Sequence, residues 1–336
     1  MGRETARGRD PVSEANQKPE ERNQKSGLSL LVSLFWFLVS GFLGPSPARA
    51  DFREFERISV SPELEQQIAL IAEETLRDFA DAKLARGNFS ITLIDLTDPS
   101  ALRRASFDGR IPYHPASVVK AFFLAAAYHE IEQRRLALDE GLTAGFRDMI
   151  VDSSNDATSY VLDRMTRTSS GGELYGRAFR KWTQKRNLMN RTFHAMGYDI
   201  NANGKTWCDG IYGREKQLLG KNRENRNRIT SDAVAALMRW IARGEAPSSG
   251  AMLELMKRDL ASDDVQVIEF TGKGLPRDAT LHSKAGWTSE VRHDATYVEL
   301  ANGRKYVLAV LTRGTGSNTE ILPAVSAKVV RLFESP

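Results

Sequence analysis

Residues 114–140 read HPASVVKAFFLAAAYHEIEQRRLALDE. The run from Val118 to Leu138 reads as a helix, with Ser117 and Lys120 at its start. Residues three apart on a helix share a face, so the lysine amine can reach the serine oxygen. A serine hydroxyl is a weak nucleophile until a neighbouring base takes its proton, and a lysine of depressed pKa can be that base. The positive end of the helix lowers the amine's pKa, and its free N–H groups can face an oxyanion. Taken alone, the pair also fits a serine that caps a helix and a lysine that solvates it.

The flanking chain sets the fold class. Ser61-Pro62 opens an amphipathic helix that runs on from LEQQIALIAEETLRDFADAKLA. NFSITLIDL at 88–96 reads as a strand, with a second short one near 101–107. From about 117 to 245 the pattern is almost entirely helix and loop, and AMLELMKRDL adds one more helix. TLHSKAGW, VRHDATYVEL and KYVLAVLTRG then read as strands, the last two joined by the turn signal Asn302-Gly303. ILPAVSAKVVRLFES closes the chain as an amphipathic helix. This order predicts an α/β (α+β) fold: an antiparallel sheet from both chain ends, flanked by helices, plus an inserted all-helical subdomain. The α/β part takes about 51–112 and 246–336, and the helical part about 113–245.

Composition narrows the function. The 336 residues are 41% hydrophobic and 27% charged, which excludes a disordered chain, a fibre and a multi-span membrane protein. A formal charge of +4 is small for this length and implies no nucleic-acid partner. Cys208 is the single cysteine, and the five histidines show no metal-ligand spacing, so neither a disulfide nor a metal or other cofactor is expected. Residues 1–50 form a polar leader, then the uncharged run LSLLVSLFWFLVSGFL at 28–43, then Ala48-Arg49-Ala50. A basic flank, an apolar stretch and a small-residue end read as an export signal, with a membrane anchor as the alternative. Either way the expected location is outside the cytoplasm, periplasmic or secreted.

Two further motifs change the weight of Ser117 and Lys120. Ser153-Ser154-Asn155 is the only Ser-x-Asn in the chain, and Ser117-Val118-Val119-Lys120 is its only Ser-x-x-Lys. Lys284-Ala285-Gly286 falls on the first C-terminal strand, where glycine lets a ligand backbone approach closely. Each has a bland reading: Ser153 and Asn155 can cap the next helix, and Lys284 can be a solvated edge-strand lysine.

With all three motifs in order, residues 55–335 resemble the penicillin-recognising serine hydrolases, and class A β-lactamases most closely. ASVVKAFFLAAAYHEIEQRRLALDE is similar to that family's central helix, MIVDSSNDATSYVLD to its Ser-x-Asn loop, and KAGW and VRHDATYV to its substrate-edge strands. The resemblance implies a site between the helical and α/β parts. It implies acylation of Ser117, with Lys120 as base or proton relay. Ser153 and Lys284 would then handle the leaving-group proton and the substrate carboxylate, and Asn155 the acyl amide. The oxyanion hole would be the N–H groups of Ser117 and Trp287, beside Gly286. Arg292 and Arg313 are candidate carboxylate clamps.

The departures from that pattern are specific. Ala285 stands where the strand motif carries a hydroxyl, and Ser154 where class A enzymes carry Asp. Glu215-Lys216-Gln217-Leu218-Leu219 matches the deacylating Glu-x-x-Leu-Asn, except that Leu219 replaces Asn. Glu215 is thus the candidate deacylating base, or else a surface residue of the charged loop GREKQLLGKNRENRNR. Three readings follow: a monomeric hydrolase of β-lactams, a D-Ala-D-Ala peptidase acting on peptidoglycan stem peptides, and a penicillin-binding protein that stays acylated.

Overall fold

The computed structural model describes residues 52–205 and 210–334. The export signal or anchor expected at 28–43, and Cys208, lie outside the described residues. Among the described residues no helix is long and apolar enough to cross a membrane. Seven strands, Ser59–Val60 (β1), Phe89–Asp95 (β2), Arg103–Phe107 (β3), Lys257–Arg258 (β4), Thr280–Trp287 (β5), Val291–Glu299 (β6) and Lys305–Arg313 (β7), form one sheet. Its order is β1-β3-β2-β7-β6-β5-β4, antiparallel except for β1 beside β3. The β2–β7 ladder, from Phe89 opposite Thr312 to Asp95 opposite Tyr306, joins the two ends of the described chain. Asn302-Gly303 makes the β6–β7 hairpin turn, where Gly303 takes the positive φ of 83° that the tight turn requires.

The helices are Phe52–Arg57 (α1), Pro62–Asp78 (α2), Val119–Glu132 (α3), Glu140–Ile150 (α4), Asn155–Thr166 (α5) and Gly176–Arg186 (α6). Leu188–Ala195 (α7), Gly213–Leu219 (α8), Ser231–Ala242 (α9), Ser249–Met256 (α10), Val265–Ile268 (α11) and Ile321–Glu334 (α12) follow. The strand period of two divides the sheet residues between two cores. Tyr306, Leu308 and Val310 pack with Ile68 of α2 and Val325 and Val329 of α12. Val307, Ala309 and Leu311 face the larger core, with α9 and α3. Helix α3 is buried without a break from Val119 to Tyr128, because its residues are apolar or small on every side apart from Lys120. Some boundaries differ from the sequence reading: α3 ends at Glu132, short of the Leu138 expected. Helix α10 stops at Met256, and Lys257 and Arg258 extend into β4 opposite His282 and Leu281. Arg258 is thereby turned inward.

The N-terminus of α9 is tied to the sheet by a buried carboxylate. Thr92 of β2 and Ser106 of β3 both donate to Asp232 Oδ1, at 2.7 and 2.8 Å, and the Asp232 N–H donates to Gly109 O at 3.1 Å. Asp232→Ala leaves two hydroxyls without their acceptor, which costs about 2–4 kcal/mol of stability. Denaturant unfolding should show a lower midpoint at unchanged slope. A shift worth less than about 0.5 kcal/mol contradicts this role.

Candidate active site

Ser117 sits in a 3₁₀ turn, Ala116–Val118, that runs into α3. The turn is strained, since Ala116 has a φ of +46°, a region that only glycine enters freely. Several contacts hold it there. His293 of β6 lies against the chain before the turn, its Nδ1 accepting from the Thr312 N–H at 3.1 Å. This leaves Nε2 as the donor to His114 O at 2.8 Å. Burial lowers the His293 pKa to about 4, so the ring is neutral and the tautomer fixed. Gly286 of β5 backs directly onto the turn. A Cβ at that position would lie 2.7 Å from both the Ser117 and Val118 nitrogens.

The Ser-x-Asn segment divides its labour in a way the sequence left open. Ser154, not Ser153 or Asn155, is the N-cap of α5, its hydroxyl accepting from Ala157 N–H at 3.1 Å. Ser153 takes a left-handed φ of +55°. Its hydroxyl lies between two lysines, with Lys120 Nζ at 3.3 Å and Lys284 Nζ at 3.0 Å. Lys120 also donates to Ser153 O at 2.5 Å and Asn155 Oδ1 at 2.9 Å. Lys284 also donates to Gln266 Oε1 at 2.9 Å and Ala285 O at 2.8 Å. Both lysines are fully buried, so Lys284 is no solvated edge residue. Burial first, then Lys120 and Arg258, push the Lys284 pKa well down from its ordinary value.

Glu215 is not a surface residue: only 2% of it is exposed, on the short helix α8. Its Oε1 accepts from Arg186 Nη2 at 2.7 Å and Ser170 Oγ at 3.0 Å. Burial raises its pKa, while Arg186 and the Ser170 hydroxyl pull it back down. Ser117, Asn155, Glu215, Leu219 and Trp287 line one cavity of about 350 Å³. Glu215 and Ser117 thus line the same cavity, together with Leu219, which takes the sequence position where an Asn was expected.

Two expected residues are placed differently. Arg292 pairs with Trp287 in the β5–β6 ladder, one step out of phase with Lys284 and its partner Ala295. The guanidinium therefore lies on the opposite sheet face, over the Phe270 ring, where it donates to Gly316 O at 3.0 Å and Glu269 Oε2 at 3.0 Å. It braces that face, and the carboxylate clamp read from the sequence is corrected to a structural strut. Arg313 donates to Gly87 O at 2.9 Å and stacks over Tyr113. Among the described residues no group of three or more His, Cys, Asp or Glu could hold a metal ion.

Residues 144–333 match the β-lactamase enzyme family. The chain belongs to that family. Solved structures with the same fold include a PBP-A mutant in an acyl-enzyme complex with penicillin G, at 21% identity and a TM-score of 0.56, covering 80% of this chain and 97% of that one. The β-lactamase of Sphaerobacter thermophilus has 16% identity and a TM-score of 0.56, over 79% and 99%. A TLA-1 extended-spectrum β-lactamase variant has 12% identity and a TM-score of 0.59, over 80% and 99%. At such identities the likeness is one of fold. Among curated proteins, none resembles the sequence closely enough to count as a match.

In this β-lactamase-family chain, four residues around the site escaped the sequence reading. Gln266 anchors its amide on Val151 O at 2.8 Å and turns its oxygen to Lys284. Arg258 reaches Gln266 Oε1 at 3.2 Å and Ile150 O at 3.0 Å. Arg186 holds Glu215, and His293 holds the serine turn. None of the four was singled out by a motif for the role it plays here.

The tight fit of β5 against the serine turn predicts a sharp size limit. Gly286→Ala puts a methyl group against three backbone atoms, Ser117 N, Val118 N and Pro115 O, none of which can swing aside. Labelling of Ser117 by a fluorescent penicillin should fall by about 10²-fold or more, the scale of a misplaced catalytic group, with far-UV circular dichroism unchanged. Labelling at the wild-type rate contradicts the contact.

Proposed function

We propose that the protein is an active-site-serine hydrolase that opens β-lactams through an acyl-enzyme. The observation that carries the reading is one hydroxyl, Ser153, shared by two buried lysines beside a cavity onto which both Ser117 and Glu215 open. Ser117 Oγ attacks the β-lactam carbonyl and its proton passes to Lys120. Backbone N–H groups of Ser117 and Trp287 receive the negative charge that forms on the carbonyl oxygen. As the carbon–nitrogen bond breaks, the Ser153 hydroxyl hands its proton to the departing nitrogen and is reprotonated by the lysine pair. Lys284 faces the substrate carboxylate and Asn155 the acyl amide. A water then attacks the ester with Glu215 as base, which releases the acid and restores Ser117.

The D-Ala-D-Ala peptidase reading keeps one observation of its own. The apolar Leu219 lines the cavity at the sequence position where the deacylating pattern carries an Asn. A chromogenic cephalosporin separates the two. Many turnovers support β-lactam hydrolysis, and a burst of one equivalent supports the peptidase or the penicillin-binding protein. Export to the periplasm, where wall material and β-lactams are met, fits all three.

Two predictions test the assignments. Ser117→Ala should lose all covalent labelling by a penicillin while keeping its unfolding midpoint within about 1 kcal/mol of wild type; stoichiometric labelling of the variant refutes the nucleophile. Glu215→Gln should acylate normally and deacylate about 10²–10⁴-fold more slowly, the usual worth of a general base, so that acyl-enzyme accumulates in the mass spectrum. Because the base acts deprotonated and burial raises its pKa, wild-type deacylation should fall away on acidification at a higher pH than an ordinary glutamate near 4.5 would give. Normal turnover by the Gln variant removes Glu215 from the mechanism.

A further inference from the structure

The charges inside the cleft are paired off, and two at its mouth are not. Lys205 is held by Asp163 at 2.6 Å, and Arg186 by Asp163 and Glu215. Arg223 and Arg226 also line the cavity, yet neither guanidinium has an acidic partner among the described residues. The nearest acid in sequence, Glu224, is turned away: it is folded back over Gly220 and accepts from the Asn222 N–H at 3.0 Å.

The loop that carries the two arginines is pinned by its backbone, so their direction is not left to a floppy segment. Asn225 Nδ2 donates to Leu218 O at 2.9 Å. Asn227 clamps Gly204 from both sides, accepting from its N–H and donating to its O, each at 2.8 Å. Arg228 and Asn201 exchange both backbone hydrogen bonds, at 2.8 and 2.9 Å, and Ile229 donates to Tyr113 O at 2.9 Å. His114, on the cavity wall beside them, is depressed to about 4 by burial first, then by Arg226, with Glu290 opposing and Arg223 adding to the effect, so the imidazole is neutral.

We propose that Arg223 and Arg226 form an anion subsite, so that the preferred acyl donor carries a carboxylate on its acyl side chain. The assignment rests on the acyl-serine reading. It concerns the wall that carries Glu215 and Leu219, where Asn155 meets the acyl amide, and so it is separate from the carboxylate that Lys284 faces. Two guanidiniums present planar donors that match a carboxylate in two-point geometry. At a partly exposed site this favours a carboxylated donor by about tenfold, and added salt weakens the preference.

Penicillin G and carbenicillin differ by one carboxylate on the acyl side chain and make a matched pair. The acylation rate of Ser117 by each compound, followed by intact-protein mass, gives the preference directly. Wild type should prefer carbenicillin by about tenfold. The double variant Arg223→Ala/Arg226→Ala should lose that preference, with a much smaller change toward penicillin G, which also reports that the fold is intact. Arg223→Lys/Arg226→Lys should keep part of it, and Arg226→Glu should favour penicillin G. Equal rates in wild type, or an unchanged preference in the double Ala variant, overturn the subsite alone. Absence of both labelling and hydrolysis with both compounds overturns the acyl-serine reading and the subsite with it.

Discussion

Two buried lysines from different parts of the fold share a single hydroxyl, that of Ser153. Lys120 reaches Ser153 from the start of α3 and Lys284 from the middle of β5, so a helix of the larger core and a strand of the sheet meet at one oxygen. The partners of the two amines include the neutral oxygens Ser153 O, Asn155 Oδ1, Gln266 Oε1 and Ala285 O. Asp294 and Asp264 act on Lys284 only as more distant charges. Two ammonium groups taken from water into such a site repel each other and lose hydration, and one proton leaves more easily than in solvent. The proposed acylation step draws its base from that surrender of a proton.

The arrangement is held against local preference. Ala116 and Ser153 both adopt positive φ, each at a cost of about 1–3 kcal/mol. The compensating structure is the ladder of β5, β6 and β7, the His293 bond to His114 O, and the apolar burial of α3. Gly286 completes the set: its missing Cβ allows β5 to touch the serine turn. The same logic reaches Glu215. Arg186 binds its carboxylate and pulls its pKa down while burial raises it, so the position and the basicity of this glutamate are set by opposed effects.

Much of the fold was legible in the sequence because its signals are local. The helical period of α2, α3 and α12, the short strand-like runs of β5 to β7 and the Asn302-Gly303 turn each depend on residues a few positions apart. Ser117 with Lys120, and Ser153 with Asn155, were legible for the same reason. What was not legible depends on tertiary pairing. Arg186 meets Glu215 across 29 positions, and Gln266 meets Lys284 through a four-residue helix with no motif. Arg292 was misread because proximity to Lys284 along a hairpin says nothing of the sheet face until the β5–β6 register is known.

The central claim is that this lysine pair gives up its first proton more readily than lysines in solvent, because burial and the neighbouring cations push Lys284 down. Nitrogen-15 NMR of the lysine side chains across a pH series reads it most directly, with resonances assigned by Lys120→Arg and Lys284→Arg variants. The account predicts that the pair loses its first proton well below 10.5, the ordinary lysine value. If both side chains stay ammonium until that value is reached, Ser117 has no lysine base and the account fails.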